Sequence, residues 1–382
     1  MSPVSDDTSP GHVLRSRPED FVVIEEPLYP ASGSGGHLFL CVEKRGRTTE
    51  QVARDLARAA GIPGRDVGYA GRKDRHALTQ QWFSLPGVDP ERALSFEIPG
   101  ARVLEARRHE HKLKTGHLRG NRFEIVLRGE GSEALDVVQQ RASELVRRGM
   151  PNRYGAQRFG REGDNAERAR EMLAMGRAPR DRRAARFLLS ALQSEVFNAV
   201  LEERVESFDS VELGDLARVE QSGGLFWVDD VERDRARAAA FEISATGPIF
   251  GTRMRAPTGG IAALEQAVFD RFGLPPPEAF RLPRGLRARG GRRPLRVRPE
   301  ALAIEPLESE PGLRVCCGLP SGAYVTVLLE SLVGPVRDAH APSRRDDVSS
   351  DDVRREFGVC SEGSTTTGSN APAPVPGQLR GE

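Results

Sequence analysis

The chain has 382 residues, of which 29% are charged and 38% hydrophobic, and its formal net charge is only +1. That length holds two domains and a sizeable core, while so small a net charge names no partner and leaves the distribution of charge to speak. No run of about 18 apolar residues occurs and residues 1–11 lack the apolar centre of a secretory leader, so a cytoplasmic chain that spans no membrane is expected.

Residues 15–25 and 37–43 alternate or run apolar in strand-length pieces. Thr48-Thr49-Glu50-Gln51 then opens a helix, with Val52, Leu56 and Ala59-Ala60 at helical spacing and Gly61 as its stop. Beyond it, glycines punctuate residues 68–71, and Gln81 to Leu85 has the aromatic-rich composition of a strand. Asp74 is therefore expected on a loop entering a sheet edge, a lone carboxylate beside Lys73, Arg75 and His76. Neighbouring cations favour an ionised carboxylate, which can serve as nucleophile, electrostatic stabiliser or metal ligand. The plainer alternative is a surface ion pair worth about 0–1 kcal/mol.

Residues 101–128 carry eight Lys/Arg against three Glu, and within them 121–127 alternate as a strand. His109, His111 and His117 have only Glu110 nearby as an acid, which fits solvated or phosphate-facing histidines rather than a metal cluster. Residues 132–148 read as a helix with Leu135, Val138 and Leu145 inward. Two more helices are expected at 183–205 and 261–272, with Gly/Pro-rich joints at 246–248 and 274–277. Residues 281–298 hold eight Arg and no acid, which is either the footprint of a nucleic-acid binder, with Arg284, Arg287, Arg289, Arg292 and Arg293 as its phosphate contacts, or a solvated Arg-rich face. Residues 313–332 return to strand-like composition, in which Cys316 and Cys317 behave as small hydrophobes. Cys41 and Cys360 complete the cysteines, too scattered for a disulfide framework and without zinc spacing. From 337 to 382 the composition turns to charge pairs, Ser, Thr, Gly and Pro, and a disordered tail is expected.

Gly-x-Lys-Asp-x-x-Ala-x-Thr-x-Gln, read from Gly71 to Gln81, resembles the catalytic motif of the TruD family of tRNA pseudouridine synthases. In that family the Asp is the catalytic residue, which maps onto Asp74. Further blocks follow in the family's order: Pro18-Glu19-Asp20-Phe21-Val22-Val23-Ile24-Glu25, then Gly36-His37-Leu38-Phe39-Leu40 onward to Lys44. Lys112-Leu113-Lys114 with Leu118-Arg119-Gly120-Asn121-Arg122-Phe123 resembles a third, and Pro151 to Gly160 resembles its Asn-Tyr-Phe-Gly-x-Gln-Arg-Phe-Gly block. Leu189-Ser190-Ala191 with Ser194, Phe197 and Asn198, and lastly Leu319-Pro320-Ser321-Gly322-Ala323-Tyr324-Val325-Thr326, close the series. One short motif is only a hypothesis, but ordered blocks over about residues 11 to 335 are far more specific. Arg153 stands where an aromatic is usual and Arg15 where a Lys is common.

The resemblance implies an α+β fold: a pseudouridine-synthase core with a mixed or antiparallel sheet, interrupted by a family-specific insertion domain. Laid on this sequence it gives core at 11–152 and 305–336, insertion at 153–304 and tail at 337–382. It implies isomerisation of uridine 13 of tRNA by a monomer, with no cofactor and no metal. Phe21, Phe123 and Tyr324 would line the nucleotide pocket with Asn121 beside them. Glu25, Lys73, Arg75, Gln157 and Arg158 would support the site or touch RNA, Glu25 by pairing with one of the cations. A non-catalytic structured-RNA binder with the same cleft is the alternative, and a nucleoside hydrolase using the same Asp is a third possibility.

Overall fold

In the computed structural model, which describes residues 11–129, 134–160, 162–276 and 279–340, period-two patterning builds one large mixed sheet. Its strands are β1 (His12–Leu14), β2 (Phe21–Pro27), β3 (His37–Arg45), β4 (Gly68–Tyr69), β5 (Leu78–Pro86), β6 (Ala101–His109) and β7 (Leu118–Arg128) from the first part of the chain. Along β7, Phe123, Ile125 and Leu127 are buried while Arg122 and Glu124 on the other face are exposed. Between β3 and β4 lies α1 (Thr49–Ala60), opened by a reciprocal Thr48–Gln51 capping box and closed by Gly61 at φ 72°. It buries Val52 and Leu56 against Leu38, Leu40 and Val42 of β3, and a short α2 (Pro90–Leu94) precedes β6.

After β7, α3 (Leu135–Arg148) packs Val138, Leu135 and Leu145 on the core of β2 and β7. Positions 132 and 133 of the expected helix lie outside the described residues. The chain then leaves through β8 (Met150–Pro151) and returns through β13 (Arg296–Val297), which pair antiparallel as a neck. Between them come α4 (Asn165–Ala174), α5 (Arg182–Glu203), β9 (Leu216–Val219), β10 (Leu225–Trp227), α6 (Val231–Ala239), β11 (Ile243–Ile249), α7 (Gly259–Arg271) and β12 (Gly291–Pro294). The four strands form a separate sheet in the order β10-β9-β11-β12. Phe197 and Leu201 of α5 pack with Ala217, Ile243 and Ala245 of that sheet, and the helices bury a second core around Phe250 and Phe269.

The large sheet is completed by β14 (Glu300–Pro306), β15 (Gly312–Pro320) and β16 (Val336–Asp338), giving the order β14-β15-β7-β2-β5-β3-β6 with β1 bridging β7 and β16. The β2–β5 and β1–β16 pairs are parallel. Three expectations need correcting. Residues 300–304 belong to this sheet and not to the insertion: the alternation Glu-Ala-Leu-Ala-Ile is that of an edge strand, and Leu302 and Ile304 pack on the core. Arg337 and Asp338 are strand, not tail, held by β1; the expected tail from 341 onward lies outside the described residues. The apolar run at the end of 313–332 is a helix, α8 (Val325–Val333), because the Ser321-Gly322 turn, with Gly322 at φ 87°, stops β15, and six of the next nine residues are buried. A short, mostly apolar run has no period that tells helix from strand.

Candidate active site

The loop from Gly71 to Ala77 joins β4 to β5, and β5 lies inside the sheet between β2 and β3 rather than at its edge. Three hydrogen bonds fix its shape. Gln81 Nε2 donates to the Gly71 carbonyl at 2.7 Å, the Thr49 hydroxyl donates to Gln81 Oε1 at 2.9 Å, and the Lys73 backbone N–H donates to that hydroxyl at 2.9 Å. From below, the buried Lys44 ammonium donates to the Asp74 carbonyl at 2.8 Å and to that of Arg47 at 2.9 Å. Two carbonyl dipoles replace less solvation than burial removes, so the ammonium is pushed down to about 8.

The Asp74 side chain remains 30% exposed, accepting the His76 N–H at 3.0 Å on Oδ1 and the Arg15 guanidinium on Oδ2. None of the flanking cations anticipated from the sequence makes this pair. Arg15 follows β1 with its backbone at φ 61°, a conformation costly for a residue with a Cβ, and its other amino group binds Asp338 of β16 at 2.9 Å. The two carboxylates thus share one guanidinium. Each also accepts the backbone N–H of a histidine two residues on, His76 and His340, whose rings stack at 4.1 Å. Arg15 had stood out only as a departure from a pattern, and Asp338 carried no local signal.

Lys73 points the other way. Its ammonium meets Glu25 of β2 at 2.8 Å and donates to Asn121 Oδ1 of β7 at 2.6 Å. Burial raises the Glu25 carboxyl above its ordinary range while Lys73 pulls it down. Phe21 and Phe123, on neighbouring strands, are edge to face at 6.3 Å, and Arg15 lies 4.7 Å over the Phe21 ring. Both phenylalanines are largely core, yet both also line a cleft of about 450 Å³ with Asp74, Asn121, Tyr324 and Gln157. Tyr324 caps the start of α8 and meets Tyr154 at 5.8 Å. Arg293 stacks on Tyr154 at 4.1 Å and donates to the Gly322 carbonyl at 2.8 Å, so a residue of β12 holds the turn that carries Tyr324.

Several expected contacts are absent from this cleft. Arg75 is exposed and donates to the Gly46 carbonyl at 3.3 Å. Arg158 turns onto α5, bonding Ser190 and, at 3.3 Å, Ser194. Arg292 is sealed against Glu265 and Thr246, and Arg293 is engaged by Tyr154, Gly322 and the Asn152 carbonyl, so neither is a free phosphate contact. His109 is buried, stacked on Tyr29 at 5.2 Å and beside Phe39 at 4.3 Å, rather than solvated. Among the described residues no three His, Cys, Asp or Glu are placed to hold a metal ion, and no helix is long and apolar enough to cross a membrane.

The cleft can therefore take a flat ring against aromatic walls and present it to one carboxylate, with an amide and an ammonium alongside. Comparison with known proteins agrees in extent as well as in kind. The family described as tRNA pseudouridine synthase D (TruD) matches residues 4–178 and 174–332. A tRNA pseudouridine synthase D of Anaeromyxobacter dehalogenans is 44% identical over 331 residues, covering 84% of this chain and 92% of the relative. That of Thermus thermophilus is 40% identical over 329 residues, covering 85% and 89%. The crystal structure of the putative tRNA pseudouridine synthase D of Methanosarcina mazei shares the fold, with a TM-score of 0.67 at 20% identity over 88% of this chain and 97% of that one. Matches of this depth, running through both sheets, leave one assignment: the chain belongs to the TruD family of tRNA pseudouridine synthases.

Proposed function

We propose that this protein converts uridine 13 of tRNA to pseudouridine, with Asp74 as the catalytic carboxylate and the target base flipped into the aromatic cleft. One observation carries the reading: Asp74, part of whose side chain is exposed, lies in the same cleft as Phe21 of β2, Asn121 and Phe123 of β7 and Tyr324 before α8, so that four separate parts of the chain meet there. A base cannot react while stacked, so it must be turned out and held between flat side chains. The reaction then breaks N1–C1′, rotates the base and joins C5 to C1′; N1 gains a proton and C5 loses one. Product and substrate are isomers, so no electrons leave and no co-reactant is consumed.

Asp74 can begin this by adding to the sugar or the base, or by stabilising a cationic sugar. Each role requires the ionised form with one face free, and Arg15 with the His76 N–H holds the other side. Asn121 spends its Oδ1 on Lys73, which orients its amide N–H groups toward a uracil carbonyl. Lys73, compensated by Glu25, is a positioning residue. The protein is expected to act as a monomer on tRNA, in the cytoplasm and without a cofactor.

The test is pseudouridine mapping of tRNA treated with purified protein, using transcripts with uridine or cytidine at position 13. Modification confined to the uridine-13 transcript supports the reading. Modification elsewhere overturns the position, release of free uracil indicates a hydrolase, and unchanged RNA that stays bound indicates a non-catalytic binder.

A further inference from the structure

The insertion holds a notch of about 350 Å³ lined by Arg177, Arg180, Arg182 and Arg284, with no acid in its wall. All four are exposed, and none has an ion pair or side-chain hydrogen bond to a described residue. In a chain where most arginines are paired, as Arg204, Arg233, Arg237 and Arg292 are, four unpaired guanidinium groups around one hollow are an arrangement with no internal purpose. Their mutual repulsion is unfavourable until an anion compensates it. Arg284 also belongs, with Arg287 and Arg289, to the exposed part of the arginine run whose members 292 and 293 turned inward.

The notch sits at the start of α5, and the helix leads from it toward the cleft. Arg183, Phe187 and Ser190 follow at the spacing of one helix face. Phe187 is 46% exposed, unusual for so large an apolar ring, and Ser190 is bonded to Arg158, whose neighbour Gln157 lines the cleft. From Arg182 to Ser190 the helix rises about 12 Å, two nucleotide steps of an extended strand.

We propose that this face of α5 is an RNA track: the arginine notch holds backbone phosphate of the tRNA that delivers its base to Asp74, and Phe187 stacks on a base between. The assignment rests on the proposed activity for the identity of the RNA, and on charge and exposure for the place. Arginine suits it because its planar fork binds phosphate oxygens in pairs. Stacking on an exposed ring is indifferent to sequence, as a track requires.

The experiment measures binding of unmodified tRNA transcript to the full chain over a range of salt, with pseudouridine formation followed in parallel. The Arg180→Ala/Arg284→Ala variant should flatten the slope of log affinity against log salt by about one to two units, at roughly 0.7–0.9 per phosphate. KM should rise while kcat at saturating tRNA and the modified position stay the same, because phosphate contacts position without specifying. Arg180→Lys/Arg284→Lys should restore most of the slope, and Phe187→Ala should weaken binding about tenfold, the 1.4 kcal/mol of one stacked base. Wild-type slope in the alanine variant, or a loss of slope that the lysine variant fails to restore, overturns the track. If wild type forms no pseudouridine but the alanine variant still loses slope, the activity reading fails and the track stands.

Discussion

Two aspartate–arginine pairs in this molecule have the same chemistry and opposite surroundings. In the segment between β8 and β13, Asp215 is 0% exposed, held by both amino groups of Arg204 at 2.6 and 3.0 Å and by the Glu212 N–H at 2.8 Å. In the large sheet, Asp74 meets one amino group of Arg15 and one N–H and keeps 30% of its side chain open to a cleft. The first carboxylate accepts three hydrogen bonds, is closed to solvent and can only brace its surroundings. The second is held on one side and left unfinished on the other, which is what a reactive group needs. An ion pair is thus no guide to role until its remaining lone pairs are counted.

Substitution separates the two fates. Asp74→Asn keeps the shape but removes the charge, and should lower pseudouridine formation by about 10³-fold or more while thermal unfolding moves little. A variant that retained a tenth of wild-type turnover would end the comparison. Asp215→Asn should do the reverse. It leaves the buried Arg204 charge with only the longer Glu212 contact at 3.5 Å, which costs up to about 3 kcal/mol in urea denaturation, while the activity of the fraction still folded is kept.

Lys44 sharpens the contrast from beneath the loop, because it is buried against carbonyls and has no carboxylate partner of its own. Its folded value of about 8 lies below the ordinary lysine value of 10.5, so between these the unfolded chain binds more protons and stability rises with pH. The raised thiols Cys41, at about 11, and Cys317, at about 12, act in the opposite direction as pH climbs. The informative quantity is therefore the difference between wild type and Lys44→Met. Between pH 8 and 10 wild type should gain on the variant by up to about 1 kcal/mol per pH unit, read from urea midpoints; parallel curves would show that Lys44 does not titrate there.

What was legible in the sequence follows from how each residue does its work. Asp74, Asn121 and Phe123 sit in local motifs because loop and strand shape demand nearby residues, and Gln81 at the end of the first motif is the residue that holds its beginning. The Arg15–Asp74 contact spans 59 positions, and Asp338 reaches the same guanidinium only because β16 lies parallel to β1. No local pattern encodes such a pairing. The arginine run failed for a related reason: partners distant in sequence enclose some of its guanidinium groups, Glu265 that of Arg292 and Asn152 with Tyr154 that of Arg293, and composition is blind to such partners. α8 reads as strand because a nine-residue run with six buried apolar positions is too short to show a helical period.

The sharing of Arg15 has a consequence for the order in which the enzyme comes into being. A ribosome delivers Arg15 and Asp74 early, but Asp338 emerges on the order of tens of seconds later at ordinary elongation rates. Until then β1 lacks its parallel neighbour and Arg15 has only one of its two carboxylates. A nascent chain can thus fold most of its large sheet, and even its insertion, before the guanidinium against Asp74 is fully anchored. Competence arrives last, with the strand that ties the final described residues back to the first.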